Sequence, residues 1–276
     1  MNKYGFIGLG SQGAPMARRM AEAGLPVVLW ARRAETLAAF AGTTLTDTTS
    51  AGTAIETASS IAELGAQVSY AAVCVVDDAG VQQVCDELIP AMPAGGCIVI
   101  HSTVHPKLCQ SLAKQAAERG LQLVDAPVSG GGEGAAAGTL TVMVGGDSTT
   151  VEAIRPVLQT FAGLIVHLGD VGAGQNAKLV NNAIMAAHVA IAYQGLEAAG
   201  ELDIDRQAFI DLVKVSSGRS FGFEVCARMP SPTAFKHGAA LLAKDVRLLG
   251  EALGDTPASQ TFKSVTVPFF ELALKD

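Results

Sequence analysis

The tightest constraint on this chain lies in its first two dozen residues. Tyr4 to Leu9 is an apolar run of strand length, and it leads into Gly8-Leu9-Gly10-Ser11-Gln12-Gly13. A helical stretch from about Gln12 to Ala23 follows, and Gly24 stops it. Strand, glycine turn and helix in this order form G-x-G-x-x-G. The first glycine permits the tight turn, the second lets backbone approach a pyrophosphate, and the third lets the helix pack closely on the sheet. The first helical N–H groups then face the phosphates. Gly8, Leu9, Gly10, Gln12 and Gly13 are therefore the expected cofactor-binding set. The competing reading is a structural turn, because a chain with 30 glycines makes accidental patterns easy.

The next strand, Pro26-Val-Val-Leu-Trp30, bears on which dinucleotide is bound. An acidic residue near its end would bind the adenosine ribose of NAD. This strand instead runs into Ala31-Arg32-Arg33, followed by a helical stretch from Ala34 to Phe40. Arginine there can meet a ribose phosphate with a charge-assisted hydrogen bond. Arg32 and Arg33 thus favour NADP and leave NAD possible. The bland alternative is that both arginines cover a solvated helix start.

Apolar strand candidates recur at Tyr70–Val76, Gly96–Ile100 and Leu121–Val124, with helical segments around Val81 and Leu112 between them. Parallel strands buried on both faces read this way. Gly130–Gly138 is a loop or short helix. Thr139–Val144 and Leu164–Leu168 are strand candidates flanking a helix at Val151–Leu158, and both are expected to extend the first sheet. Beyond Gln175 strand periodicity fades. Gln175–Ala199 is helix-compatible and bounded by Gly174 and Gly200. Asp203 and Asp205 sit near another helix start, and Lys236–Leu253 and Val267–Leu274 are helical. The expected fold class is α/β. A Rossmann-like dinucleotide-binding domain over 1–163 precedes an all-helical domain over 164–276, entered through a long interdomain helix.

Composition narrows the function classes. The formal net charge is −7, so nothing suggests general attraction to nucleic acid. No stretch has the apolar length of a membrane span or the layout of a signal peptide, so the cytoplasm is the default location. The five cysteines include no CxxC pair and read as buried thiols in a reducing compartment; no Cys/His cluster has metal-ligand spacing, so no metal is expected.

Three further segments carry chemistry. His101-Ser102-Thr103 follows a buried strand whose end points toward the ligand crevice. Ser102 or Thr103 could bond cofactor or substrate, with helix capping ahead of His105-Pro106 as the equal alternative. Asp125-Ala-Pro-Val-Ser129-Gly130-Gly131 sets a hydroxyl beside backbone N–H groups, which can cradle a carboxylate. Gly172-x-Gly174-Gln175-x-x-Lys178-Leu179-x-Asn181-Asn182 places Lys178 and Asn182 one helical turn apart on one face. Most isolated lysines are solvated, but this one stands among few other charges at the start of an apolar helix.

In these segments the chain resembles the beta-hydroxyacid dehydrogenase family. Phe6–Gly10 through Pro15-Met16-Ala17 is similar to its nucleotide signature, Asp125–Gly131 to its substrate segment, Gly172–Asn182 to its catalytic segment and Lys244-Asp245 to a late motif on the cofactor side. Four motifs in order span nearly the whole chain. The resemblance implies that Lys178 is the catalytic acid or base, that Asn182 orients it or the substrate, and that Ser129, Gly130 and Gly131 hold a substrate carboxylate. It implies that Thr103 and Lys244 line the cofactor side and that the chain forms a homodimer or larger homo-oligomer. Ser216–Arg219 is similar to the hydroxyisobutyrate branch, and Arg219 is a second candidate for the anion, with a surface ion pair as the alternative.

The chain departs from the family pattern at Gln12, Arg19 and Val76. His237 stands where an aromatic residue is common, so this imidazole could line a more polar substrate pocket, unless it is merely packed or on the surface. The expected activity is hydride transfer between NADP(H) and a small 3-hydroxy acid or its semialdehyde. Two rivals remain at this point. One is an NADPH-dependent imine reductase of the same fold, against which Lys178 speaks. The other is a dinucleotide-binding protein without catalysis, which need not retain Ser129, Lys178 and Asn182 together.

Overall fold

In a computed structural model of the chain, residues 3–38, 40, 44–45 and 53–275 are described. The elements run β1 (Lys3–Ile7), α1 (Gly13–Glu22), β2 (Val27–Trp30), α2 (Ala34–Ala38), β3 (Thr44–Leu45), β4 (Thr53–Ala54), β5 (Glu56–Thr57), α3 (Ile61–Gln67), β6 (Val68–Val73), α4 (Asp78–Ala91), β7 (Cys97–Ile100), α5 (Pro106–Glu118), β8 (Gln122–Asp125), β9 (Val128–Ser129), α6 (Gly131–Ala137), β10 (Leu140–Val144), α7 (Ser148–Leu158) and β11 (Ala162–His167). Helices follow: α8 (Ala173–Glu201), α9 (Arg206–Val215), α10 (Phe221–Arg228), a 3-10 turn at Pro232–Phe235, α11 (Lys236–Leu253) and α12 (Pro257–Ala273). Ala39, inside the expected helix from Ala34 to Phe40, lies outside the described residues.

The chain divides into two compact units, Met1–Lys178 and Leu179–Asp276. The first is Rossmann-like. Its main sheet has six strands in the order β5-β2-β1-β6-β7-β8, and each of its pairings is parallel. Successive side chains of a strand point to opposite faces, and each face has its own core. Phe6, Leu29, Ala72, Val99 and Val124 pack with residues of α1, α6, α7 and β10. Ile7, Val28, Ala71, Val73, Ile98 and Ile100 pack with α3, α4 and α5. This is why β6 and β7 read as continuous apolar runs.

One expectation is corrected. Strands β9, β10 and β11 do not extend the first sheet; they form their own, in the order β11-β10-β9. The chain turns back through α6, so β10 pairs β9 antiparallel, and an isolated bridge between Asp125 and Gly145 ties the two sheets. The two compact units divide after Lys178. Strand β11 pairs β10, and the first turn of α8 is bonded to Asp125 at the end of β8.

The second unit has no strand among its described residues. Its apolar side chains gather around Ala186, Val189, Phe223, Leu242 and Phe269, with a smaller cluster of Leu179, Ala183, Leu248 and Leu249. Side-chain caps start α9, α10 and α12. Asp205 accepts from Ala208 N, Ser220 from Phe223 N and Thr256 from Ser259 N. No described helix is long and apolar enough to cross a membrane.

Helix α8 runs through both glycines expected to bound it. A Cβ at Gly174 would collide with Met143 O and lie 2.9 Å from Asp125 Oδ2, whereas one at Gly200 meets nothing within 4 Å. Close packing, not termination, explains Gly174. Gly200→Ala should therefore stabilise the protein by about 0.5–1 kcal/mol through helix propensity. Gly174→Ala should destabilise it despite the same propensity gain. Thermal unfolding of the two variants checks this, and equal shifts would contradict it.

Candidate active site

The dinucleotide turn, the two arginines, the Thr103 loop and the Asp125–Gly131 segment leave the same edge of the main sheet, because its strands are parallel. Between β1 and β6 the strand order reverses, which is where doubly wound sheets bind ligands. Gly8 stands at this switch point with φ +96°, and any Cβ there would collide with Cys74 O. Gly13 begins α1, and its Cβ would collide with Gly8 O and lie 3.1 Å from Phe6 Cε1. A Cβ at Gly10 meets nothing within 4 Å. Two glycines are thus closed in by protein and the middle one opens outward. Gln12 gives α1 no side-chain cap. This arrangement fits a pyrophosphate approaching Gly10 and the start of α1.

Arg32 and Arg33 follow β2, whose Trp30 is in register with Ile7. Both are exposed, and neither pairs with an acidic residue among those described. Leu9 is buried and Gln12 half-buried. Arg19, one of the departures from the family pattern, donates from Nε to Thr160 O (3.2 Å) and reaches Glu22 at 3.4 Å, so it acts as a strut outside the glycine turn.

The loop after β7 is held by side chains below it. His101 is buried, stacked near Phe6 and edge-on to Phe161, and its Nδ1–H donates to Ala126 O at 2.7 Å. Burial lowers its pKa to about 4, so the ring is neutral at physiological pH. Ser102 Oγ accepts from Val75 N (2.8 Å) and is buried, which leaves Thr103 as the more accessible hydroxyl of the pair. Neither residue caps α5. His105 does so itself, its Nδ1 accepting from Lys107 N at 3.1 Å.

After β8 the backbone folds into a glycine turn. Gly130 and Gly131 have φ of +131° and +66°, and a Cβ at Gly131 would stand in open space. Ser129 is half-buried and Gly130 exposed. Helix α6 starts at Gly131 and packs on α1 so closely that a Cβ at Gly132 would lie 2.6 Å from Ser11 O. The Ser129–Gly131 turn and the dinucleotide turn are therefore neighbours.

Lys178 is only 8% exposed, near the start of α8 and at the end of the first unit. The turn that carries it is fastened by two residues quoted from the sequence but given no role there. Asp125 is fully buried; Oδ1 accepts from Gly172 N (2.6 Å) and Oδ2 from Gln175 N (2.7 Å). Gln175 is buried too, its Oε1 accepting from Val104 N (3.1 Å) and its Nε2 donating to Ser102 O (2.8 Å). Their low exposure is invisible in the sequence; the only signal was a carboxylate and a carboxamide inside otherwise apolar or glycine-rich segments.

In the second unit, Asn182 Nδ2 donates to Asp245 Oδ2 at 2.6 Å. Lys244 Nζ lies 2.8 Å from Asp245 Oδ1, at ion-pair distance but without hydrogen-bond alignment. Asp245, a buried carboxylate, thus joins the two polar residues singled out in this unit. Arg219 is exposed in the loop before α10, and His237 is exposed in the first turn of α11. Among the described residues no group of His, Cys, Asp and Glu could hold a metal.

Comparison with known proteins decides the family. Residues 3–169 match the NAD-binding domain of 6-phosphogluconate dehydrogenase, and residues 172–275 match the NAD-binding domain of NADP-dependent 3-hydroxyisobutyrate dehydrogenase. The chain belongs to the beta-hydroxyacid dehydrogenase family. As a family member it is an NAD(P)-dependent dehydrogenase of hydroxy acids. It is 30% identical to an NAD-dependent L-serine dehydrogenase of Pseudomonas aeruginosa, over 100% of this chain and 93% of that one. It is 34% identical to 2-(hydroxymethyl)glutarate dehydrogenase of Eubacterium barkeri, over 80% and 71%. Its fold matches that of Mycobacterium tuberculosis 3-hydroxyisobutyrate dehydrogenase with L-serine, with a TM-score of 0.82 and 28% identity over 100% and 96% of the chains.

The buried Asp125 gives this dehydrogenase a pH signature. Burial pushes its carboxyl up to about 6 from an ordinary 3.8, against the Gly172 and Gln175 N–H groups that pull it down. A carboxyl raised on folding contributes stability below its unfolded value, and that contribution is lost as pH rises through about 6. The difference corresponds to roughly 3 kcal/mol. Asp125→Asn cannot titrate. Its stability relative to wild type should therefore improve by up to roughly 3 kcal/mol between about pH 4 and pH 7, read by urea unfolding at both pH values. Parallel pH curves for the two proteins would refute the raised value.

Proposed function

We propose that this dehydrogenase moves a hydride between NADP(H) and a short 3-hydroxy acid or the matching semialdehyde, with Lys178 transferring the proton at the substrate oxygen. The observation that carries the reading is the burial of Lys178 in the same compact unit as the dinucleotide turn and Ser129–Gly131. A lysine kept from water so near the start of a helix is not a solvated surface charge, since lysine is almost never fully buried without a partner or purpose.

Gly8, Gly10, Gly13 and the start of α1 would hold the pyrophosphate, and the bound nicotinamide would accept or donate the hydride. In oxidation, neutral Lys178 takes the proton from the substrate hydroxyl; in reduction, its ammonium returns a proton to the carbonyl oxygen. The Ser129 hydroxyl and the N–H groups after it hold the substrate carboxylate. Asn182, Thr103, Lys244, Arg219 and His237 keep the roles expected from the sequence. Asn182 and Lys244 share Asp245 as partner, which supports a common task for them.

The substrate class follows from two restraints: a carboxylate held at Ser129–Gly131 and a reacting carbon within reach of Lys178. Together these favour short compounds. The named substrates of the relatives agree. L-serine, 3-hydroxyisobutyrate and 2-(hydroxymethyl)glutarate all carry a primary alcohol on the carbon β to a carboxylate. All five cysteines are free thiols, in keeping with the cytoplasm. Exposed Val180, Ile184 and Ile191 along α8 support a homo-oligomer.

A kinetic screen in both directions with both cofactors tests the reading. It should include those three acids, glycerate, succinic semialdehyde and a cyclic imine. We expect turnover of at least one 3-hydroxy acid, and a loss of roughly 10²–10⁴-fold in kcat/KM for Lys178→Ala with dinucleotide binding kept. Activity on imines alone overturns the substrate class, and near-normal turnover by the folded variant overturns Lys178.

The cofactor preference rests on Arg32 at the end of β2, which has no acidic partner among the described residues. NADPH should bind more tightly than NADH. Arg32→Ala should weaken NADPH about 10- to 100-fold, the size of a lost charge-assisted bond, and NADH much less. Fluorescence titration of both reduced cofactors decides it; equal or tighter NADH binding by the wild type would remove the preference.

A further inference from the structure

We propose that Gln175 is a positioning residue of the reaction: its carboxamide brackets the backbone of Thr103 and thereby sets the Thr103 loop and Lys178 in one fixed relation. The proposal rests on the reading of Lys178 given above.

The geometry is specific. Nε2 donates to Ser102 O at 2.8 Å and Oε1 accepts from Val104 N at 3.1 Å. These are the carbonyl just before Thr103 and the amide just after it, so one side chain holds both flanks of a single residue. Both ends of the carboxamide are used in opposite senses, and neither a carboxylate nor an aliphatic chain of that length can do this. Gln175 is fully buried, so no water can replace it from the surface. Its own N–H is held by Asp125 Oδ2 at 2.7 Å, which prevents this first turn of α8 from sliding along the loop. Lys178 follows three residues later, about 4.5 Å further along the helix axis. Asp125 in turn ends β8, four residues before Ser129. A small displacement of Gln175 is therefore passed on to both Thr103 and Lys178. The Cys109 thiol also lies against Gln175; burial raises its pKa well above the ordinary value, so it is a neutral neighbour.

Loss of the bracket should therefore act on the chemical step more than on binding. Gln175→Met keeps length and removes both hydrogen bonds. We expect kcat to fall about 10- to 100-fold, as for a misplacement on the order of 1 Å, while KM for the hydroxy acid and the NADPH dissociation constant change less than about threefold. A role in stability alone would lower the melting temperature and leave kcat intact well below it; that result overturns the proposal.

Gln175→Glu provides a second readout should the methionine variant not fold. An ionised glutamate still accepts from Val104 N but cannot donate to Ser102 O, whereas a protonated one does both. Its activity relative to wild type should rise as pH falls toward about 5, and a flat ratio overturns the proposal. Lys178→Ala is measured in parallel. If that variant stays active, the catalytic reading fails. If it is inactive while Gln175→Met retains kcat, only the positioning role fails.

Discussion

The carboxylate of Asp125 has no access to solvent and two main-chain N–H groups to answer it. Much of the first unit is arranged around that one buried group. It ends the last strand of the main sheet, meets Gly145 in a bridge to the second sheet, and accepts from the first turn of α8. Leaving a buried polar group without a partner costs about 1–3 kcal/mol, and more for a charge. The amides of Gly172 and Gln175 are therefore held where the carboxylate needs them. Gly145 and Gly174 are glycines for the same reason, since a Cβ on either would press on Asp125 at 2.6 or 2.9 Å.

A second constraint acts at the glycine turn after β1. Gly8 and Gly13 are closed in by Cys74 and by each other, which brings α1 down onto β1 and leaves Gly10 facing outward. Parallel pairing then puts the ends of β1, β2, β6, β7 and β8 on one rim. The dinucleotide turn, the two arginines, the Thr103 loop and the Ser129 turn come together there although they are far apart in sequence. The chemistry of a hydroxyacid dehydrogenase needs such a convergence, because a cofactor, a carboxylate and a proton-transfer group must meet on one small molecule.

Much of this is legible in the residues. The glycine spacing, the apolar runs of β6, β7 and β8, and the fading of strand periodicity after Leu168 point to a Rossmann-like domain followed by helices, and the fold agrees. Helix α11 is located to the residue, because its apolar positions recur at helical spacing and Gly254 ends it with φ +67°. Other elements are hidden. Helix α10 escapes a reading of the sequence, being only one short amphipathic segment after a serine-rich loop. The first half of α12 escapes it as well, because Ser, Thr, Gln and Lys dominate there. Gly174 reads as a helix boundary, because glycine is a poor helix former; its close approach to Met143 is not visible in the chain.

What the sequence determined by itself was local: which segments are strands or helices, where glycine lets the chain turn, and which polar residues stand out against apolar neighbours. Those features depend on interactions a few residues apart. Only the tertiary structure decided that β9–β11 form a separate sheet, that Ser102 faces Val75 rather than outward, that His105 caps its own helix, and that Asp125 and Gln175 fasten the turn leading to Lys178. Nearly all of these depend on a hydrogen bond between residues distant in the chain, and a donor seeks a partner by position in space, which no short window of sequence contains.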